Sequence, residues 1–214
     1  MAVTQTEITY EFIKQRILNG EYKPSQKLIE NKLAEEINVS RNTVKKALIM
    51  LEKENLVEVT MNKGATIKSF TLNEMMNYLE IRGEMEGLIG RKAAQNITDH
   101  DLEGLEEIFH IMSALISENN FDEYSKTNSM FHQIIYKASK NPEAVRVIHT
   151  IKTQLNRLYF RTILIPGRKE QSIIEHEAIL RALQSRDPDK SEKALKKHVM
   201  NVRELIECNH KFIV

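Results

Sequence analysis

Cysteine is nearly absent. Cys208 is the only one in 214 residues, so no disulfide can form within the chain, and the composition suits a reducing compartment. No apolar run approaches the length that spans a bilayer. The opening Met-Ala-Val-Thr-Gln-Thr-Glu lacks the basic-then-apolar order of a secretory signal. A cytoplasmic protein with no membrane partner is expected. Net charge is also nearly absent, 31 basic against 30 acidic residues for a total of +1, which opposes an architectural nucleic-acid protein of the histone kind. HExxH and CxxC motifs, internal repeats and Gly/Pro-rich linkers are missing as well.

What is present is globular: 41% hydrophobic and 29% charged residues, enough for two small cores. Two textures meet near residue 70. Before it, short segments of different type alternate. A helix is expected from about Thr6 to Leu18 on the apolar positions Ile8, Phe12, Ile13 and Ile17, stopped by Asn19-Gly20. After a loop over Glu21–Gln26 comes a short helix from about Glu30 to Ile37, burying Leu33, Ala34 and Ile37. A turn at Asn38-Val39-Ser40 leads into a helix from Arg41 to about Glu54, with Ser40 as its N-cap. That helix buries Val44, Ala47, Leu48 and Leu51. Val57 and Val59 then alternate with polar residues as a strand, Asn62-Lys63-Gly64 supplies turn chemistry, and Ala65–Phe70 reads as the returning strand. Three helices and a hairpin describe a winged helix.

From Leu72 the pattern is helical, with segments over about 72–96, 99–119, 121–140, 142–164, 168–186 and 188–211. Thr98 and Asp187 stand where N-caps belong. The fold class is therefore mainly α: a winged helix-turn-helix over residues 1–71, then an all-helical bundle of about six helices over 72–214.

A helix-turn-helix lays its second helix in the major groove. Opposite its apolar side that helix carries Arg41, Asn42, Thr43, Lys45 and Lys46, near its Ser40-capped start. Arg and Asn suit guanine and adenine edges, and Lys suits guanine or phosphate. Lys63 and Gly64 fall at the hairpin tip, where a wing meets phosphate or the minor groove. For any one element a solvated helix face or an ordinary hairpin explains the pattern as well. The ordered set favours a DNA reader.

On these residues the stretch from Ile17 to Ile67 resembles the head of the GntR family of bacterial regulators. The resemblance is carried by Ile17, Gly20, Pro24, Leu28, Glu30, Leu33, Ala34, Val39-Ser40-Arg41, Val44, Ala47-Leu48, Leu51, Leu56-Val57 and Gly64. The sequence departs at Ser25, Asn38 and Asn55, where glycine is usual, and at Lys45, where arginine is typical. Lys45 keeps the charge and loses the planar fork. The resemblance implies a homodimer on a palindromic double-stranded operator.

Three histidines stand out in the helical part: His132 four residues after Asn128, His176 in IIEHEAIL, and His198 in ALKKHVM. Three inward imidazoles and one oxygen ligand would suit a divalent transition metal. Spacing alone equally allows ordinary core or surface histidines. The segments around them, with Arg82 and Glu86 upstream, resemble the FCD domain of the FadR branch over about residues 72–210, in the shorter, VanR-like form. That resemblance implies Asn128, His132, His176 and His198 as metal ligands, zinc or nickel as the metal, and a small organic acid as effector. Asn128 stands where aspartate is usual, and a neutral amide oxygen is the poorer ligand.

Met75, Leu79, Arg82, Glu86, Ile89 and Ala93 form one stripe on the first long helix. Two charges in an apolar stripe call for partners. Either Arg82 and Glu86 pair internally, or Arg82 reaches a pocket and binds an effector carboxylate. The leading expectation is a ligand-responsive, DNA-binding transcriptional regulator, not an enzyme. The alternative is a helical metalloenzyme with a three-His centre tethered to a winged-helix domain. Against it, Glu175 and Glu177 flank His176 but should face elsewhere, leaving no evident general base.

Overall fold

The computed structural model describes residues 3–60, 63–69 and 71–213, with side chains described throughout except at 156–161 and 210–213. The chain divides into two compact units, Met1–Thr71 and Leu72–Val214.

The first unit holds α1 (Gln5–Leu18), β1 (Lys27–Leu28), α2 (Glu30–Ile37), α3 (Arg41–Lys53), β2 (Val57–Thr60) and β3 (Gly64–Ile67). Local chemistry fixes the helix starts. Thr4 and Glu7 form a capping box on α1, and the Ser40 hydroxyl accepts the Thr43 amide at 3.1 Å on α3. α1 and α2 both pack on α3, whose Val44, Ala47, Leu48 and Leu51 are fully buried. The antiparallel sheet has the order β1-β3-β2, with Val57 opposite Ile67 and Thr60 opposite Gly64. β1 pairs Leu28 with Ala65 and is a strand the sequence pattern does not announce, because two residues carry no periodicity. The hairpin needs Gly64: its φ is +96°, and a Cβ there would lie 2.2 Å from the Leu28 carbonyl oxygen.

Some expectations change. α1 buries Thr9, Tyr10, Ile13 and Ile17, while Ile8 is 53% exposed and Phe12 is half-buried. Two helical stripes were available, and the inner one places a threonine inside, its hydroxyl donating to the Gln5 carbonyl at 2.8 Å. Asn19 keeps right-handed geometry, and Gly20 alone makes the left-handed turn. The returning strand ends at Ile67; Asn62 and Phe70 lie outside the described residues. Ser25, Asn38 and Asn55, the three departures from glycine, all hold positive φ of 57–64°. The turns thus persist on residues that tolerate that geometry less well than glycine.

The second unit is a bundle of α4 (Leu72–Asn96), α5 (Asp99–Ser117), α6 (Phe121–Ala138), α7 (Pro142–Thr162), α8 (Arg168–Gln184) and α9 (Pro188–Ile213). Thr98 and Asp101 form a capping box, and Asp187 Oδ1 accepts the amides of Asp189 and Lys190 just beyond it. Pro142 and Pro188 each open a helix, where a missing N–H costs nothing. Phe131, Ile135, Ile148, Ile179, Leu183 and Leu195 fill the core. α4 and α9 form the most extensive helix pair, and small residues bring them close. Gly83, Gly87 and Gly90 face Met200, Glu192 with Lys196, and Ser191 with Leu195, respectively. A Cβ at position 90 would stand 2.5 Å from the Ser191 carbonyl oxygen and 2.5 Å from Leu195 Cδ1.

Gly90→Ala should therefore lower the urea midpoint of unfolding. Overpacking of about 1–3 kcal/mol outweighs the gain of about 1 kcal/mol in helix propensity. At Gly104 an added Cβ meets only Ile134 Cδ1, at 3.4 Å, so Gly104→Ala should raise the midpoint or leave it. A stable Gly90→Ala protein would show that α4 and α9 are not held at the spacing described.

Candidate functional site

α6, α8 and α9 each deliver one histidine to a common point in the bundle. His132, His176 and His198 are all buried, and one ring nitrogen from each lies within 4.8 Å of the others. Ring centroids are 5.4 Å apart for His132–His176, 5.5 Å for His132–His198 and 4.7 Å for His176–His198. Phe131 walls the cluster edge-on, 5.2 Å from His176.

The nitrogens facing away are tied down. His176 Nδ1 donates to the Ser172 carbonyl at 2.6 Å, which directs the Nε2 lone pair inward. His198 Nδ1 donates to Glu175 Oε2 at 2.8 Å. Glu175 is itself gripped by Arg168 Nη1, 2.9 Å from both carboxylate oxygens, and by Asn201 Nδ2 at 2.8 Å. This carboxylate–imidazole arrangement orients a ligand and raises its basicity.

Three polar atoms here are buried without a hydrogen-bond partner: His132 Nδ1, His176 Nε2 and Asn128 Oδ1, one turn before His132 on α6. Each such atom costs about 1–3 kcal/mol unless something binds it. Three imidazole nitrogens within 4.8 Å of one another form a donor set that could hold a divalent transition metal.

Electrostatics keep the imidazoles unprotonated. Desolvation, reinforced by the neighbouring imidazoles, holds His132 well below the usual range and His176 at about 3. Desolvation also lowers His198, against the opposing pull of Glu175. Glu175 goes to about 2: its own burial is overcome by the hydrogen bond from His198, its charge, and Arg168. Proton competition for the ligand nitrogens therefore sets in below pH 6.5, lower than unperturbed histidines would place it.

Arg82 and Glu86 are both buried, as are the other four residues of their stripe. The internal pair is formed: Arg82 Nε and Nη2 lie 3.2 and 3.1 Å from Glu86 Oε1. The Tyr136 hydroxyl donates to the same oxygen at 2.6 Å.

Glu175 was passed over in the sequence, where its place beside His176 implied a different face. It does face elsewhere, toward α9, and that is how it meets His198. The legible signal was Arg168 and Glu175 seven residues apart, two turns along one helix side.

In the first unit, Arg41, Asn42, Lys45 and Lys46 are exposed along the start of α3, and Thr43 is half-buried beside the Ser40 cap. Arg41 Nε donates to Glu30 Oε2 at 2.6 Å; the guanidinium side is 56% exposed and the carboxylate side 6%. Lys63 is exposed just before β3, while Gly64 is buried against β1. Gly64 shapes the hairpin and offers no surface side chain.

Residues 77–201 match the FCD domain family, and residues 5–67 match the bacterial regulatory proteins of the gntR family. The chain belongs to the GntR family, in its FCD-containing form. It is 25% identical over 197 residues to the transcriptional repressor RspR of Escherichia coli, covering 92% of this chain and 86% of that one. It is 28% identical over 211 residues to the transcriptional regulator LutR of Bacillus subtilis, covering 89% and 95%. It is 23% identical over 200 residues to the gluconate operon repressor of Bacillus licheniformis, covering 91% and 82%. The structure of E. coli McbR/YncC shares the fold with a TM-score of 0.76 at 23% identity, over 97% of this chain and 99% of that one. This GntR-family chain is a transcriptional regulator, and the metalloenzyme alternative gains no support from these relatives. No helix among the described residues is long and apolar enough to cross a membrane.

The buried imidazoles yield a pH prediction for chelator-treated protein. Their folded pKa values lie below the unfolded value near 6.5, so the unfolded chain takes up protons that the folded one refuses. Their contribution to stability is complete above about pH 6.5 and is lost as pH falls from there toward the folded values. The melting temperature of the metal-free protein should decline from pH 7 to pH 5, and less steeply in His176→Gln. Identical slopes in the two proteins would show that His176 titrates normally in the fold.

Proposed function

We propose that the chain is a homodimeric repressor that binds a palindromic operator through residues 1–71. Residues 72–214 dimerise and sense a small carboxylate at a metal bound by His132, His176 and His198, with Asn128 or water completing the shell. The observation that carries the sensing half is the meeting of three neutral imidazoles with orphaned buried atoms. Zinc or nickel fits these donors, and when bound it supplies a Lewis-acidic point for an anionic oxygen. Asn128 leaves that point without a protein carboxylate, so the effector brings the anion. Arg82, two helices away in sequence but electrostatically close to His132, is a second positive group for the same carboxylate, with Glu86 setting its direction. The names of relatives such as the gluconate operon repressor agree with an organic-acid effector. A cytoplasmic location follows from this role.

On the DNA side, Ser40, Arg41, Asn42, Thr43, Lys45 and Lys46 present the reading face of α3, and Lys63 the wing contact. Glu30 holds Arg41 from behind by Nε, which leaves the terminal nitrogens aimed outward for a guanine edge. Two α3 helices are needed because one reads too few bases for a useful specificity.

Arg41→Ala should weaken operator binding by about 1–3 kcal/mol and relax base preference. Lys63→Ala should weaken specific and nonspecific binding alike, with a shallower salt slope. A gel-shift series in which Arg41→Ala matched wild type in affinity and preference would remove α3 from the reading role.

Protein purified without a tag or chelator should contain about one zinc or nickel per chain. His176→Ala should lose it, and Asn128→Asp should hold it more tightly. Metal-loaded protein should change operator affinity on adding a carboxylate, by a coupling of about 1–3 kcal/mol. Metal content near zero after dialysis against either ion would leave the three histidines as core residues.

A further inference from the structure

On the far side of Tyr136, whose ring meets that of His132, lies a cleft of about 200 Å³ that the reading above does not use. It is lined by Ser129, Gln133 and Tyr136 from α6 and by His149, Lys152 and Thr153 from α7. The α6 residues follow at spacings of four and three, a strip adjoining the one that carries Asn128 and His132. Every lining side chain is polar or amphipathic, and none is aliphatic. Tyr136 connects the two places. Its ring centroid is 5.9 Å from that of His132 and 5.6 Å from Lys152 Nζ.

Lys152 is the cation of this cleft, and its setting differs from that of the lysines held in surface ion pairs. Lys126, Lys190 and Lys196 each pair with a carboxylate, Glu123, Asp187 and Glu84, at 2.6, 3.1 and 2.6 Å. Lys152 is half-buried and has no carboxylate within ion-pair distance among the described residues. Glu86, the acid whose charge reaches it, is already engaged by Arg82 and Tyr136. Burial and then the Arg82 charge bring its ammonium down to about 8. The cation thus lines an open space with an aromatic face beside it and, among the described residues, no carboxylate at ion-pair distance. An anion entering that space would relieve it.

We propose that this cleft is the second anchor of the effector site. Lys152 binds the second carboxylate of a short hydroxylated diacid whose first carboxylate sits at the three-histidine centre. Ser129, Gln133 and Thr153 meet the hydroxyls between them. The inference rests on the effector reading of that centre and narrows it from carboxylates in general to diacids, with Lys152 as the residue that selects them.

The test is isothermal titration of zinc-loaded full-length protein with matched pairs: succinate against butyrate, and glucarate against gluconate. In wild type the diacid of each pair should bind about tenfold tighter or more, the size of one charge-assisted contact. In Lys152→Gln the ratio should collapse to about one, and in Lys152→Arg it should persist, since a second cation restores the contact. Zinc content and circular dichroism of each variant confirm an intact centre and fold, and Lys152→Met replaces Lys152→Gln if the latter does not fold. Equal affinities within each pair for wild type, or a preference that survives loss of the Lys152 charge, overturns the proposal while leaving the metal-centred effector site standing. If neither acid of any pair binds, the effector reading itself fails, and the diacid proposal with it.

Discussion

Three imidazoles brought together in a dry core are the constraint from which the rest of the second unit follows. Charged, they would repel one another and face a desolvation penalty of several kcal/mol. Neutral, they leave His132 Nδ1 and His176 Nε2 buried without a hydrogen-bond partner. The chain adopts the neutral solution and commits other groups to it. The Ser172 carbonyl fixes one tautomer. Glu175 fixes another, and because a buried carboxylate also needs a cation, Arg168 and Asn201 are drawn in behind it. A lone buried histidine would need none of this, and the supporting groups are what separate a site from a packing accident.

Holding three donors to within a few ångströms requires helices that cannot slide. α8 and α9 carry two of them, and α9 is set by its contact along α4, where glycines replace side chains on the facing surface. Close packing of this kind is rigid because the opposing atoms include backbone, which cannot swing aside as a side chain can. The same α4 carries Arg82 and Glu86 on its buried stripe, and Tyr136 of α6 locks onto Glu86. A ligand that shifts the centre therefore pulls on the longest helix pair of the unit. This is a physical route from a small molecule to a change in shape within the second unit.

Much of this was legible before any coordinates. Helix starts were written in single residues, Ser40, Thr98 and Asp187, because an N-cap is a local hydrogen bond. The six segments of the bundle were readable because their apolar period runs unbroken between Asn, Pro and Gly stops. The three histidines could be chosen from seven only through the family pattern, since nothing in a sequence says that turns of α6, α8 and α9 converge. Ile8 supports the α1 helix but lies off its buried face, because two stripes of similar polarity compete and only tertiary packing decides between them. β1 was invisible because its two residues are a strand only by pairing with β3. Glu175 and Lys152 were missed for a common reason: their roles depend on neighbours from other helices, which periodicity cannot supply.

In the proposed function, the charges around the centre favour an anionic ligand. Its proposed donors are three neutral rings and, in Asn128, a neutral amide where an acid is usual, so a divalent ion there would keep its full charge. The two nearby acids do not offset it: Glu175 is neutralised by Arg168, and Glu86 by Arg82. Lys152 adds a further positive group at the edge. In a low-dielectric interior, uncompensated charge of one sign is costly, and the cost falls when an anion enters. Aspartate at position 128 would supply part of that anion from within and so make the site less demanding of a ligand. In the proposed function asparagine leaves the deficit to be met from outside, so that metal charge would become ligand affinity. On this reading the substitution that looks like a weakened metal site is what couples the metal to sensing.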